Sequence, residues 1–303
     1  MNTISFPYQI DDPRFKELIQ KNARLRQLAT GFEWTEGPVW FADHQHLFFS
    51  DIPANRMMRL TLDGQVGTYR QPSDYSNGNT RDRQGQLVSC QHGTRSVTRT
   101  EIDGSRTVLA DRYEGKRLNS PNDVIVQSTG AIWFTDPTYG ILSDYEGFKA
   151  EPEQTARNVF RIDPATGRVT AMITDFIQPN GLAFSPDESV LYVAESGSSH
   201  NPDIPSIIRA FQLDGAGKVL SDRVFVTIDR GLPDGMRVDA AGHLWSSAAD
   251  GIHCFHPDGT RLGKILVPEV VSNLCFGGAR GNRLLITATS SIYEIAVNAR
   301  SAI

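Results

Sequence analysis

Six oxygen-bearing side chains recur at one register along this chain: Glu36, Asn77, Asn122, Asn180, Asp234 and Asn273. Each stands ten or eleven residues before an apolar run. Their settings are Glu36-Gly37-Pro38, Asn77-Gly78, Pro121-Asn122-Asp123, Pro179-Asn180-Gly181, Pro233-Asp234-Gly235 and Ser272-Asn273-Leu274. Two carboxylates and four amides, with no sulfur or imidazole, suit a hard divalent cation: Ca2+ first, with Mg2+ and Mn2+ as alternatives. Such an ion polarises a carbonyl or phosphoryl oxygen and acidifies bound water. A carboxylate held beside it can act as base or nucleophile. Asn-Gly and Asp-Gly pairs also form ordinary turns. Glu36 is no turn former, however, and turn chemistry alone does not place an oxygen at the same register six times.

The runs that follow these residues look like one strand written six times. They are Leu47-Phe48-Phe49-Ser50-Asp51, Leu87-Val88-Ser89-Cys90, Ile132-Trp133-Phe134-Thr135-Asp136, Leu191-Tyr192-Val193-Ala194-Glu195, Leu244-Trp245-Ser246-Ser247-Ala248 and Leu284-Leu285-Ile286-Thr287-Ala288. Their first residues are 40, 45, 59, 53 and 40 positions apart. A unit of forty-odd residues holding about four short strands is a propeller blade. The two long intervals hold loop insertions at 142–155 and 196–205. The expected fold is therefore all-β: one six-bladed β-propeller over residues 31–303, after a leading segment, 1–30, with a short packing helix. That helix would be capped by Asp11 or Asp12, with Pro13 at its first position and Phe15, Leu18, Ile19, Leu25 and Leu28 at helical spacing.

Innermost propeller strands surround one axis, so the six equivalent positions converge at one end of the channel. The repeated runs return antiparallel, which brings their last residues to the same mouth. That nominates Asp51, His92, Asp136 and Glu195, with Tyr139 on the following loop. His92 is the one of these that titrates near neutral pH. The other histidines, His44, His46, His200, His243, His253 and His256, fall in turns or outer strands. Strand alternation sends His253 and His256 to opposite faces, against a zinc site. Trp34, Trp40, Trp133 and Trp245 are read as packing between blades.

The length of 303 residues would allow two domains of ~150, which the repeat replaces with one ring. Thirty basic against 35 acidic residues, a net charge of −5, give no nucleic-acid footprint. No apolar run reaches 18 residues, so no membrane span is expected, and Met1 to Ile10 lacks the pattern of a secretory signal. Three distant cysteines, Cys90, Cys254 and Cys275, argue against a disulfide framework and for a reducing cytoplasm.

From about Phe32 to Ile295 the chain resembles the senescence-marker-protein/gluconolactonase family, in its bacterial gluconolactonase branch. The family also includes regucalcin and, more distantly, diisopropyl-fluorophosphatase. The motifs that carry the resemblance are Glu36-Gly37-Pro38, Ser120-Pro121-Asn122-Asp123, Gln178-Pro179-Asn180-Gly181-Leu182-Ala183-Phe184-Ser185 and Leu232-Pro233-Asp234-Gly235. Asp136-Pro137-Thr138-Tyr139-Gly140 and Asn273-Leu274-Cys275-Phe276-Gly277-Gly278 add to them. The resemblance implies that Glu36, Asn122, Asn180 and Asp234 hold a catalytic divalent metal, usually Ca2+, with Mg2+, Mn2+ or Zn2+ as other candidates. It also implies that Asp234 is the catalytic base or nucleophile in opening a sugar lactone.

Asn77 and Asn273 are not principal ligands in that family and become substrate-side candidates, with His92, Asp136, Tyr139 and Glu195. One departure stands out. The regucalcin branch carries a substrate-holding arginine two residues before the equivalent of Asn122, where this chain has Ser120. The expected partner is a small-molecule lactone, with no nucleic acid and no membrane; the oligomeric state stays open. Alternatives from the same ring are a phosphotriesterase similar to diisopropyl-fluorophosphatase and a propeller that binds calcium or a ligand without turnover. Propellers similar to strictosidine synthase share the fold but are not expected to keep these ligands.

Overall fold

Each repeat folds into a four-stranded antiparallel sheet, and six such sheets surround a central channel in the computed structural model, which describes residues 3–302. From the axis outward, blade one is Thr35–Phe41, His46–Asp51, Arg56–Thr61 and Val66–Arg70. Blade two is Ser76–Arg81, Leu87–Gln91, Ser96–Thr100 and Arg106–Ala110. Blades three and four begin on Val124–Val126 and Pro179–Phe184. Blades five and six begin on Met236–Val238 and Val271–Gly277.

Both faces of each blade are covered by a neighbour, which explains why the second strands read as nearly unbroken apolar runs. In Val190–Glu195, Leu191 and Val193 turn toward Trp133 and Phe184, between blades three and four. Tyr192 and Ala194 turn the other way, toward Phe225 and Phe255 in the next core. Alternation is present, but each phase feeds a different apolar layer. Trp133 and Trp245 are fully buried in these layers, where replacement by alanine costs ~3–5 kcal/mol.

The ring closes through the start of the chain. Strand Arg24–Thr30 pairs with Ser291–Ala296 as the outermost of the main strands of blade six, and Arg26 forms an ion pair with the buried Glu294. Thr3–Ser5 extends blade six, and Tyr8–Ile10 adds a fifth strand to blade five. The packing helix expected from Phe15 to Leu28 is corrected to a single turn, Phe15–Leu18. Asp12 does accept the Arg14 backbone N–H, at 2.9 Å, and Phe15 is buried against Tyr8 and Trp245. Leu25 and Leu28 are instead strand residues buried in two different cores. The open edge of Ser291–Ala296 offers a ladder of backbone partners, which outweighs the weak stability of a short helix.

The insertions leave blades three and four after Thr135 and Glu195, at the end of the channel where the inner strands begin. They carry the short helix Tyr139–Leu142 and the single 3-10 turn Gly197–Ser199. Among the described residues no helix is long and apolar enough to cross a membrane, and all three cysteines are free and buried.

Candidate functional site

The six register positions form a ring, and local contacts give its order. The Glu36 carboxylate accepts the Gly37 N–H at 2.6 Å and the Asn273 side-chain N–H at 3.1 Å. Gly78 N–H donates to the Asn122 carbonyl at 2.7 Å. The inner strands approach so closely that a Cβ on Gly181 would lie 2.0 Å from the Asp234 carbonyl oxygen. Asn77, Asn122, Asn180 and Asn273 are all buried, as is Glu36. Asp234 is half-buried, with its N–H on the Ser247 hydroxyl at 3.1 Å.

Burial and like charge load this ring with unfavourable electrostatics. Burial pushes the Glu36 carboxyl up to about 8, and the Asp123 charge adds to the rise. Burial likewise drives Asp234 well above the carboxylate range, with further contributions from Glu36, Asp123 and Glu146. A hydrogen bond from Asn180 opposes that rise. Asp123 is raised by burial and partly relieved by Arg237, whose guanidinium stands 3.9 Å away. The buried Glu36 and half-buried Asp234 beside the side-chain amides of Asn122 and Asn180 fit a hard divalent cation, which would offset the repulsion. Among the described residues no three His, Cys, Asp or Glu side chains are grouped as metal ligands. Amides would therefore have to complete such a site.

Above the ring lies a cavity of about 290 Å³, lined by Glu36, Asn77, Asn122, Asn180 and Asp234. Trp34, Leu232, Val270 and Val271 form an apolar wall, Tyr139 comes from the turn after blade three's second strand, and Glu146 and Ser199 come from the insertions. Tyr139 donates its hydroxyl to the Ser196 carbonyl at 3.1 Å, lies 3.0 Å from the Ser199 hydroxyl, and is held far above the usual phenol pKa by burial. Trp34 thus corrects the reading of all four tryptophans as packing.

Several nominated residues stand behind the cavity. The Asp136 carboxylate accepts the Asn119 N–H at 2.8 Å, and burial raises it to about 7. Glu195 accepts the N–H groups of Ile177, Gln178 and Gly197 at 2.8 Å each. Asp51 does the same for Glu33 and Trp34. These carboxylates hold the segments leading to Asn122, Asn180 and Glu36: both oxygens of Glu195 are taken by backbone amides, Asp51 gives its second oxygen to Arg56, and Asp136 keeps one oxygen without a protein partner. Asn273 is withdrawn from the substrate side, since its Nδ2 serves Glu36 and its Oδ1 accepts the Leu274 N–H at 2.8 Å. His92 lies behind Asn77, its Nε2 3.3 Å from the Asn77 side-chain nitrogen. Ser120 is buried, donating to the Pro137 carbonyl at 2.7 Å and accepting the Gly140 N–H at 3.0 Å.

Two acids escaped the sequence reading. Asp123 occupies the place where four other repeats have glycine, and that substitution was a visible signal. Glu146 lies in an insertion, outside any repeat, so register could not find it. Burial raises Glu146 to about 7.

The chain is similar to known proteins over most of its length. The SMP-30/Gluconolactonase/LRE-like region matches residues 34–290. A gluconolactonase of Zymomonas mobilis is 34% identical, covering 93% of this chain and 84% of its own. Pentonolactonase XacC of Haloferax volcanii is 32% identical, covering 86% and 84%. A solved gluconolactonase from Xanthomonas campestris superposes with a TM-score of 0.90 at 37% identity, covering 98% of this chain and 97% of its own.

Proposed function

Because this chain belongs to the SMP-30/gluconolactonase/LRE-like family, we propose that it is a divalent-metal-dependent hydrolase that opens the ring of a sugar lactone. The observation that carries the reading is the placement of two acids, the buried Glu36 and the half-buried Asp234, beside Asn122 and Asn180 around one cavity. The names of its relatives, gluconolactonase and pentonolactonase, point to an aldonolactone.

Glu36, Asn122, Asn180 and Asp234 are the residues that would hold the cation, Ca2+ or alternatively Mg2+, Mn2+ or Zn2+. When bound, the cation supplies charge that favours the ionised carboxylates and polarises the lactone carbonyl. Asp234 is held by Ser247 through its backbone and by Asn180 through its side chain. As base it removes a proton from the water that adds to the lactone carbon. The acyl–oxygen bond then breaks and the ring oxygen departs as a hydroxyl, taking the proton that Asp234 removed. As nucleophile it displaces the ring oxygen and forms a mixed anhydride instead, which water then opens at the Asp234 carboxyl carbon. Single turnover in 18O-water separates the routes, since only the second puts carboxylate oxygen into the first product. The apolar wall of Trp34, Leu232, Val270 and Val271 excludes water from one side of the ring. Tyr139, Asn77 and Glu146 offer polar groups to its hydroxyls.

The deciding experiment is a lactone panel assayed with Ca2+, Mg2+, Mn2+ and Zn2+, with a phosphotriester run in parallel. Hydrolysis of aldonolactones supports the reading. Faster turnover of the phosphotriester, or none of any lactone, overturns it.

A further inference from the structure

The loop that brings Glu146 over the cavity is seated on His92, and His92 in turn touches the ring. His92 follows strand Leu87–Gln91 and is 1% exposed. Its Nδ1 lies 2.9 Å from the Glu146 backbone carbonyl and 3.9 Å from the Glu146 carboxylate. A carbonyl can only accept, so Nδ1 carries the hydrogen. Burial lowers the imidazole to about 4, so the ring is neutral at neutral pH. A neutral ring protonated on Nδ1 has a lone pair on Nε2 and nothing to donate there.

The partner at Nε2 is the Asn77 side chain, 3.3 Å away. Only the amide nitrogen of Asn77 can meet a lone pair, which sends its oxygen the opposite way. That oxygen is buried without a protein partner, in a residue that lines the cavity. The other tautomer would invert the amide and present N–H groups beside Glu36 and Asp234. Those groups could not accept from a substrate hydroxyl and would oppose a cation.

We infer that His92 is a positioning residue that turns the Asn77 carbonyl oxygen into the cavity as an acceptor for a lactone hydroxyl, and couples that orientation to seating of the Glu146 loop. The kinetic part of this inference rests on the lactone-opening reading; the tautomer does not. The loop fits closely on the imidazole, since a Cβ on Gly140 would lie 2.4 Å from the His92 side chain. Phe148 donates its N–H to the Gly140 carbonyl at 3.1 Å and packs its ring edge-on to Tyr75, 5.3 Å between centroids. Asn77 belongs to blade two and the loop to blade three, so one imidazole spans both.

Two measurements test this. Long-range 1H–15N spectra of the 15N-labelled protein are expected to show a protonated Nδ1 and an unprotonated Nε2 for His92 across roughly pH 5.5 to 8. A ring protonated on Nε2 overturns the inference, whatever the enzyme's substrate. The second is a double-mutant cycle on kcat/KM with the lactone that is turned over best. His92→Asn keeps a donor toward the Glu146 carbonyl but leaves Asn77 without its acceptor. It should lower kcat/KM roughly 3- to 10-fold, the range of one neutral hydrogen bond. Asn77→Ala should lower it at least as much, and the double variant no further than Asn77→Ala alone. Additive losses, or a lowered melting temperature in His92→Asn with unchanged kinetics, overturn the coupling. Should no lactone be turned over by the unaltered protein, the functional reading fails while the spectra still decide the tautomer.

Discussion

Glu36 and Asn273, 237 residues apart in the chain, share a hydrogen bond of 3.1 Å that joins the first blade to the last at the floor of the cavity. The amide supports a carboxylate that burial makes reluctant to ionise. Asn273→Ala removes that support without touching the cavity wall. We expect weaker cation affinity by roughly 10-fold, the size of one hydrogen bond to a charged group, read by calorimetric titration with Ca2+. Unchanged affinity would show that Glu36 is not a ligand.

Asp234 carries the proposed chemistry. Asp234→Asn is expected to cut kcat by about 10²- to 10⁴-fold, the range of a general base. The cation-free variant should melt no lower than the parent, because the substitution removes one of several mutually repelling acids. A variant with unchanged turnover would refute the proposed mechanism.

The raised carboxyls make stability depend on pH. Glu36 moves from its ordinary 4.5 to about 8 and Asp136 from 3.8 to about 7. The folded state therefore holds protons that the unfolded chain has already lost. Their contribution is fully present below pH ~4 and fades as pH rises through about 7 and 8. Cation-free protein should show a melting temperature that falls between pH 5 and 9, and saturating Ca2+ should flatten that fall. A rise over the same range without cation would contradict the burial of these groups.

Removing the cation should cost both activity and heat resistance. At a hundred times its dissociation constant, a bound ion contributes ~2.7 kcal/mol. Chelation is expected to lower the melting temperature and abolish hydrolysis, with Ca2+ restoring both. A chelated enzyme that keeps full turnover would exclude a catalytic role for the metal.

Ser120 cannot simply be exchanged for the arginine of the regucalcin branch. Its hydroxyl is buried between the Pro137 carbonyl and the Gly140 N–H. Ser120→Arg should unseat the Tyr139–Leu142 turn and lower stability by ~2–4 kcal/mol through a buried, unpaired charge. Denaturant unfolding measures this, and a fully stable, active variant would show that the side chain has another way out.

The repeat was legible because close packing around an axis imposes it. Glycine follows Asn180 because a Cβ there would strike the Asp234 carbonyl, and such constraints print the same short motifs in several blades. The second strands were legible for a similar reason, each being buried on both faces. What repeat reasoning could not supply lies where blades differ. Glu146 and Ser199 come from insertions with no counterpart elsewhere, and Trp34 precedes the register altogether. Asp136 and Glu195 reach the right end of the channel, as the strand direction required. Which way their oxygens face, however, depends on backbone amides of the neighbouring turn. Leu25 and Leu28 were misread because their partner strand, Ser291–Ala296, lies at the far end of the chain, beyond any local pattern.

That last pairing has a consequence for how the protein comes into being. All six ring residues precede Ser291, yet the strand onto which Arg24–Thr30 folds begins there. A nascent or clipped chain ending at residue 290 would contain every group of the site and still lack the strand pairing that ties the start of the chain into blade six. Such a chain should neither bind cation at this site nor turn over substrate, and competence would arrive all at once with the final strand.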